Sequence, residues 1–144
     1  MEEIYTAIMA RLKKMIPELR WIDIDEGQLE YYKERPAITF PCVLIDIELV
    51  KCTGLHENAQ ICEANVGIRV VQNLPASRTN SVATASVRDT ALDRYRFVEG
   101  VFLSLQSWGN GFNPLSRQSQ KKEKREDGLF VCRIDFQTQF KQTF

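Results

Sequence analysis

The sequence predicts an α+β fold: a mainly antiparallel, twisted sheet with two helices packed on one face. Three observations predict it. Two segments repeat apolar residues at helical spacing, and three longer ones repeat them at every second position. The elements follow in the order helix, short strand, hairpin, helix, hairpin, with no internal repeat and no linker composition. The chain has 144 residues, which fits a single domain able to bury a real core.

The first helix is expected over residues 2–16. Ile4, Ile8, Leu12, Met15 and Leu19 recur every three or four positions and share one face. Glu2 and Glu3 open it and Arg11, Lys13 and Lys14 lie later, an order that complements the helix dipole. Pro17 ends it, because the residue before a proline disfavours helical geometry. Residues 21–25 alternate as a short strand until Gly27. Residues 28–38, with Tyr31, Tyr32 and Pro36, read as a crossing loop.

Residues 38–52 form the first long strand, with Val43, Ile45, Ile47 and Leu49 on one parity and Asp46 and Glu48 on a wet one. A connection at Thr53 to Asn58, turning at Gly54, leads to a second strand over 60–73. There Cys62, Ala64, Val66, Ile68 and Val70 face inward and Glu63, Asn65, Gly67 and Arg69 outward. Residues 74–84 are small and polar, a flexible loop.

The second helix is expected over 86–107, with Leu92, Tyr95, Val98, Phe102 and Leu105 as its stripe. Ser86 with Asp89, or Thr90, would cap it. The turn-rich run 108–114 stops it. A polar strand over 115–126 then reaches a hairpin at Asp127-Gly128, and the last strand covers 129–140. In that strand Phe130, Cys132, Ile134, Phe136 and Phe140 alternate with Val131, Arg133, Asp135 and Gln137.

Against this architecture the chemistry is sparse, and that contrast points to a structural or assembly protein. There is one histidine, His56, in a turn without a nucleophile at motif spacing; it is given no role. Nineteen basic and nineteen acidic residues cancel, which disfavours a general nucleic-acid binder. The N-terminal MEEIYTAI lacks the basic and apolar regions of a secretory signal, and no apolar stretch reaches membrane-span length, so a cytoplasmic protein without membrane contact is expected.

Four cysteines occur without a CxxC. Cys62 and Cys132 share parity with apolar neighbours and are expected to be buried and reduced; Cys42 and Cys52 lie on the more polar parity of their strand.

Asp46 and Glu48 share a strand face, as the carboxylates of a metal-dependent nuclease do. Lys51 has the opposite parity and the spacing is a residue too long, so an exposed polar face or an oligomer contact is the favoured reading. Asp23, Asp25 and Glu26 read as a solvated acidic corner without the ligand spacing of a calcium loop. The basic run Lys121, Lys122, Lys124 and Arg125, with Arg117 upstream, would project positive charge from a hairpin arm toward phosphates or an acidic partner. The arm lacks the interleaved aromatics that single-strand stacking needs, and the loop 75–84, without a glycine, is no phosphate cradle. No catalytic residue, metal ligand or cofactor is expected.

The N-terminal helix, the proline-led strand RPAITFPCVLIDIELVKCTG, the strand QICEANVGIRVVQN, the helix TALDRYRFVEGVFLSLQSW and the closing strand GLFVCRIDFQTQF together resemble the small tail-terminator (tail-completion) and head–tail joining proteins of tailed bacteriophages and prophages. The resemblance covers nearly the whole chain in order and texture of elements, and RPAITFPCVLIDI is its nearest approach to a signature. It implies a non-enzymatic virion assembly protein forming a ring, commonly a hexamer. The ring would cap the tail tube, dock the head-side connector of the neck and let DNA pass through its lumen. It implies a host bacterial cytoplasm as the site of assembly, and the virion where the phage is active. Arg117, Lys121, Lys122, Lys124, Arg125, Asp46 and Glu48, and the loop Pro75 to Thr84, would be ring or partner contacts. The alternatives are a small binding or adaptor module that contacts nucleic acid or an acidic partner through the 117–125 arm, and, behind it, the nuclease.

Overall fold

A computed structural model describes residues 1–30, 37–74 and 78–144. Its elements are α1 (Glu2–Met15), β1 (Trp21–Ile24), a single 3-10 turn (Gln28–Glu30), β2 (Cys42–His56), β3 (Ala59–Asn73), α2 (Ala85–Leu105), β4 (Ser116–Lys122) and β5 (Leu129–Thr143). The strands make one five-stranded sheet in the order β1-β2-β3-β5-β4. Among the described strands only β1 runs parallel to its neighbour; β2, β3, β5 and β4 pair antiparallel. This is the α+β fold expected.

Both helices pack on the same sheet face. Ile4, Ile8 and Leu12 of α1, with Ile16 just beyond it, meet Val98, Val101 and Leu105 of α2 over Val43, Ile45, Val66, Ile68, Ile134 and Phe136. A fully buried side chain of this size contributes about 1.5–3 kcal/mol relative to exposure. Arg11 ties the helices together: its Nε donates to the Ser104 carbonyl at 3.0 Å and its guanidinium sits over Trp108.

Several details differ from the expectations. Met15 is exposed, and Ile16 continues the α1 stripe. Thr84, not Ser86 or Thr90, caps α2 by accepting the Val87 N–H. The buried face of α2 is rotated toward Ala91, Val101 and Ser104, which leaves Tyr95 more than half exposed. β2 runs on through Gly54 to His56, so the hairpin turns at Glu57-Asn58. The residues Tyr31, Tyr32 and Pro36 of the expected crossing loop, and 75–77 of the 74–84 loop, lie outside the described residues.

The second sheet face is not wet along its whole length. Leu29 of the 3-10 turn seats on Cys42, Leu44, Val71, Leu129 and Val131, all buried, and builds a second small core. Cys42 is therefore buried rather than solvent-facing, and burial pushes its thiol up to about 12. At the opposite end nothing described covers the sheet, and residues 50–58 and 141–144 are exposed. There β2, β3 and β5 project as a three-stranded arm.

Candidate functional site

The second face carries the charged residues that sequence reasoning singled out. Asp46, Gly67 and Asp135 are register partners on adjacent strands. Arg133 lies across this row: its Nε donates to Asp135 Oδ1 at 2.9 Å and its Nη2 is 3.6 Å from Asp46 Oδ2. Gly67 makes room for it, because a Cβ there would overlap the guanidinium. Ser119 of β4 completes the row by donating to Asp135 Oδ2 at 3.1 Å.

A β-bulge at Val50 changes the reading of Lys51. Leu49 pairs with Ala64 and Lys51 with Glu63, so the extra residue returns Lys51 to the parity of Asp46 and Glu48. It also moves Cys52 to the parity of Cys62. Lys51 thus shares the face of the two carboxylates, contrary to the simple alternation. Asp46 nevertheless has a guanidinium beside it where a nuclease would place a metal ion.

The acidic corner is also rebuilt. Asp25 is not solvated: its side chain is 10% exposed and pairs with Arg69 Nη1 at 3.2 Å. Arg69, expected to face outward, is buried beneath the loops that cover this end of the sheet. Its Nε and Nη2 reach Glu123 at 2.9 and 2.8 Å, and Nη2 reaches Glu30 at 2.8 Å. Burial works against its charge, but the hydrogen bonds it donates to Glu123 and Glu30 and the negative charges of Asp25 and Glu123 outweigh it. They hold the guanidinium above its ordinary value.

Arg125 belongs to this cluster and not to a projecting arm. It pairs with Asp127 at 2.8 Å and Glu123 at 3.1 Å, and donates to the Leu29 carbonyl at 2.9 Å, with its side chain only 5% exposed. Arg117 also turns back, its guanidinium stacked 3.7 Å from the Phe102 ring centroid. Of the basic run, Lys121, Lys122 and Lys124 remain exposed. Asp23 lies in β1, where it accepts the Trp21 indole N–H at 3.3 Å, and Glu26 is exposed. His56 ends β2 in solvent and accepts the Asn58 N–H at 3.4 Å.

The sheet's two edges differ in character. β4, at one edge, is almost wholly exposed and presents Lys121 and Lys122. At the other edge β1 pairs only with Cys42–Ile45. The Asp25 N–H bonds the Ile45 carbonyl, and beyond it no described strand adds to β2, so the backbone from Asp46 onward is open on that side. Exposed Asp46 and Glu48 mark this stretch, and an apolar groove of about 280 Å³ lined by Met1, Tyr5, Ile24, Ile45 and Ile47 lies beside it. Where this open edge begins depends on how short β1 is.

No helix among the described residues is long and apolar enough to cross a membrane. No protein-family model matches the chain, and no curated protein matches it in sequence.

Proposed function

We propose that this chain is a non-enzymatic virion assembly protein of tailed phages or prophages, of the tail-terminator or head–tail joining type, which works by closing into a ring. The observation that carries the reading is the polarity of the sheet. One edge is a basic strand with Lys121, Lys122 and nearby Lys124; the other is an open strand on which the carboxylates Asp46, beside Arg133, and Glu48 outnumber the one lysine, Lys51. Opposite charges on opposite edges favour head-to-tail contact between copies, and such contacts close into rings when the rotation allows. The zero net charge adds little self-repulsion to oppose association. The ring would cap the tail tube on one face and receive the neck connector on the other, with DNA passing through a lumen. Assembly would take place in the cytoplasm of the bacterial host, and the ring would stay in the virion of an active phage.

Light scattering over a range of concentrations, with negative-stain imaging, tests this. A closed ring is expected, and the combined Lys121→Glu, Lys122→Glu and Lys124→Glu variant is expected to fall to monomer with an unchanged circular-dichroism spectrum. A wild-type chain that stays monomeric both alone and with tail tubes overturns the reading.

A second reading has its own observation. A cleft of about 680 Å³ beside Phe130 is lined by Arg78, Arg94, Lys122, Lys124 and Arg125 against Glu123 and Glu126, a basic excess that suits phosphates in a nucleic-acid or acidic-partner module. DNA binding by a monomer that weakens steeply with salt would favour it.

A further inference from the structure

Cys52 and Cys62 are register partners on the projecting arm, with their sulfurs 3.0 Å apart. Cys52 is exposed and Cys62 is buried. The backbone pattern places them where cross-strand side chains come closest. Gln139 turns its carbonyl away from β3 to accept the Asn113 N–H, so the next residue, Phe140, is the one that exchanges backbone bonds with its partner Cys62. Cys62 therefore spends its backbone groups on β5 and meets Cys52 in a non-hydrogen-bonded pair, where Cα atoms lie about 4.5 Å apart. That spacing falls within the range a disulfide spans, about 4.4–6.8 Å.

We propose that Cys52 and Cys62 are a modification site: a dithiol that a low-molecular-weight disulfide of the glutathione type oxidises to an intramolecular disulfide across the β2–β3 hairpin. The Cys52 thiolate, on the solvent side, attacks one sulfur of the oxidant, forms a mixed disulfide and expels one thiolate. Cys62 then attacks the Cys52 sulfur, closes the protein disulfide and expels the second. Two electrons pass to the oxidant, which leaves as two thiols carrying the two protons lost by the cysteines.

The order follows from access and from acidity. The hydrogen bond with Cys52, and burial after it, hold the Cys62 thiol above its ordinary value, so Cys62 is the resolving partner. The other two thiols have no such neighbour. Cys42 and Cys132 are both buried, stand on opposite sheet faces, and pair in register with Val71 and Val70. In a compartment kept reducing by glutathione the pair stays a dithiol; in oxidising surroundings it closes and fastens the arm.

The test incubates the full-length chain with oxidised glutathione, counts free thiols and maps the products by mass spectrometry. Cleavage after Glu48, Glu57 and Glu63 separates the two cysteines, so closure joins the peptides 49–57 and 58–63. The expected result is loss of two of the four thiols, that cross-link, and no retained glutathione. Cys62→Ser is expected to trap glutathione on Cys52. Cys52→Ser, at an exposed position that does not threaten folding, is expected to slow thiol loss by roughly tenfold or more. Four thiols retained, glutathione held on wild-type Cys52, or a cross-link to another cysteine or another chain overturns the proposal.

Discussion

Replacing Arg69 with Met removes a buried cation and leaves its carboxylates behind. The three partners do not count equally. Glu30 is half exposed, so water takes over its hydrogen bond at little cost. Asp25 is 10% exposed, and Glu123, 28% exposed, loses both oxygens' bonds to the guanidinium while keeping its contact with Arg125. Breaking a buried pair by removing one partner costs about 3–5 kcal/mol. With one carboxylate truly buried and one partly so, the lower end applies, about 3 kcal/mol. For a chain of this size that is a fall in Tm of about 6–12 °C. Urea unfolding followed by circular dichroism measures it, with m expected to be unchanged. Adding Asp25→Asn to Arg69→Met should recover about 1 kcal/mol or more, because the orphaned charge is then gone. A loss below about 0.5 kcal/mol for the single variant, in the range of an ordinary surface substitution, would refute the claim that this cluster is desolvated and fastens the loops to the sheet.

The buried Cys42 thiol gives a pH dependence. Its pKa rises from 9.0 unfolded to about 12 folded, so between these values the unfolded chain binds fewer protons. Its contribution is complete below pH 9 and is lost as pH rises toward 12, at about 1.4 kcal/mol per unit. The fall in urea midpoint from pH 8 to pH 10.5 under reductant should be shallower in Cys42→Ala, and equal slopes would contradict the burial. Leu29→Ala empties the peg of the second core and should cost about 2–5 kcal/mol by the same unfolding assay. Gly67→Ala should push Arg133 off the Asp46–Asp135 row at a cost of about 1 kcal/mol. Arg133→Ala should abolish most of that cost, and a full penalty in its presence would place the strain elsewhere.

The helices, the strands and their pairing were legible because each buries one face, and one-sided burial leaves a period in the sequence. β5 shows it most cleanly over Cys132 to Thr138. The covered second face also left a signal, which strict alternation hides. Cys42-Val43-Leu44-Ile45, Val70-Val71 and Leu129-Phe130-Val131-Cys132 are unbroken apolar runs, and the sheet register brings all three to the same end. Continuous runs are the mark of strands buried on both sides. The ion cluster had no such mark. Asp25, Glu30 and Glu123 lie 44, 39 and 54 residues from Arg69, and the cluster arises only when the loops fold back over that end. Arg125 was misread for the same reason: a charge run reads as solvated until Asp127 and the Leu29 carbonyl are brought under it.

The bulge at Val50 was invisible in sequence, yet it governs how the open edge behaves. An unpaired strand edge invites addition of another chain, and proteins limit this with bulges and edge lysines. Here the open stretch starts after Ile45 and the bulge interrupts it between Leu49 and Lys51, so a regular strand can add over only a short run. Deleting Val50 should remove that limit at small cost to the fold, since the residue is 47% exposed. The pairs Leu49 with Ala64 and Lys51 with Glu63 would then follow without interruption, and Cys52 would still face Cys62. The expected result is concentration-dependent growth of open, irregular species in light scattering, together with normal oxidative closure of the Cys52–Cys62 pair. If the size distribution stays that of the wild type while the disulfide still forms, the bulge does not guard the edge. If the disulfide no longer forms, the register has slipped, and the assignment of the bulge to Val50 is wrong.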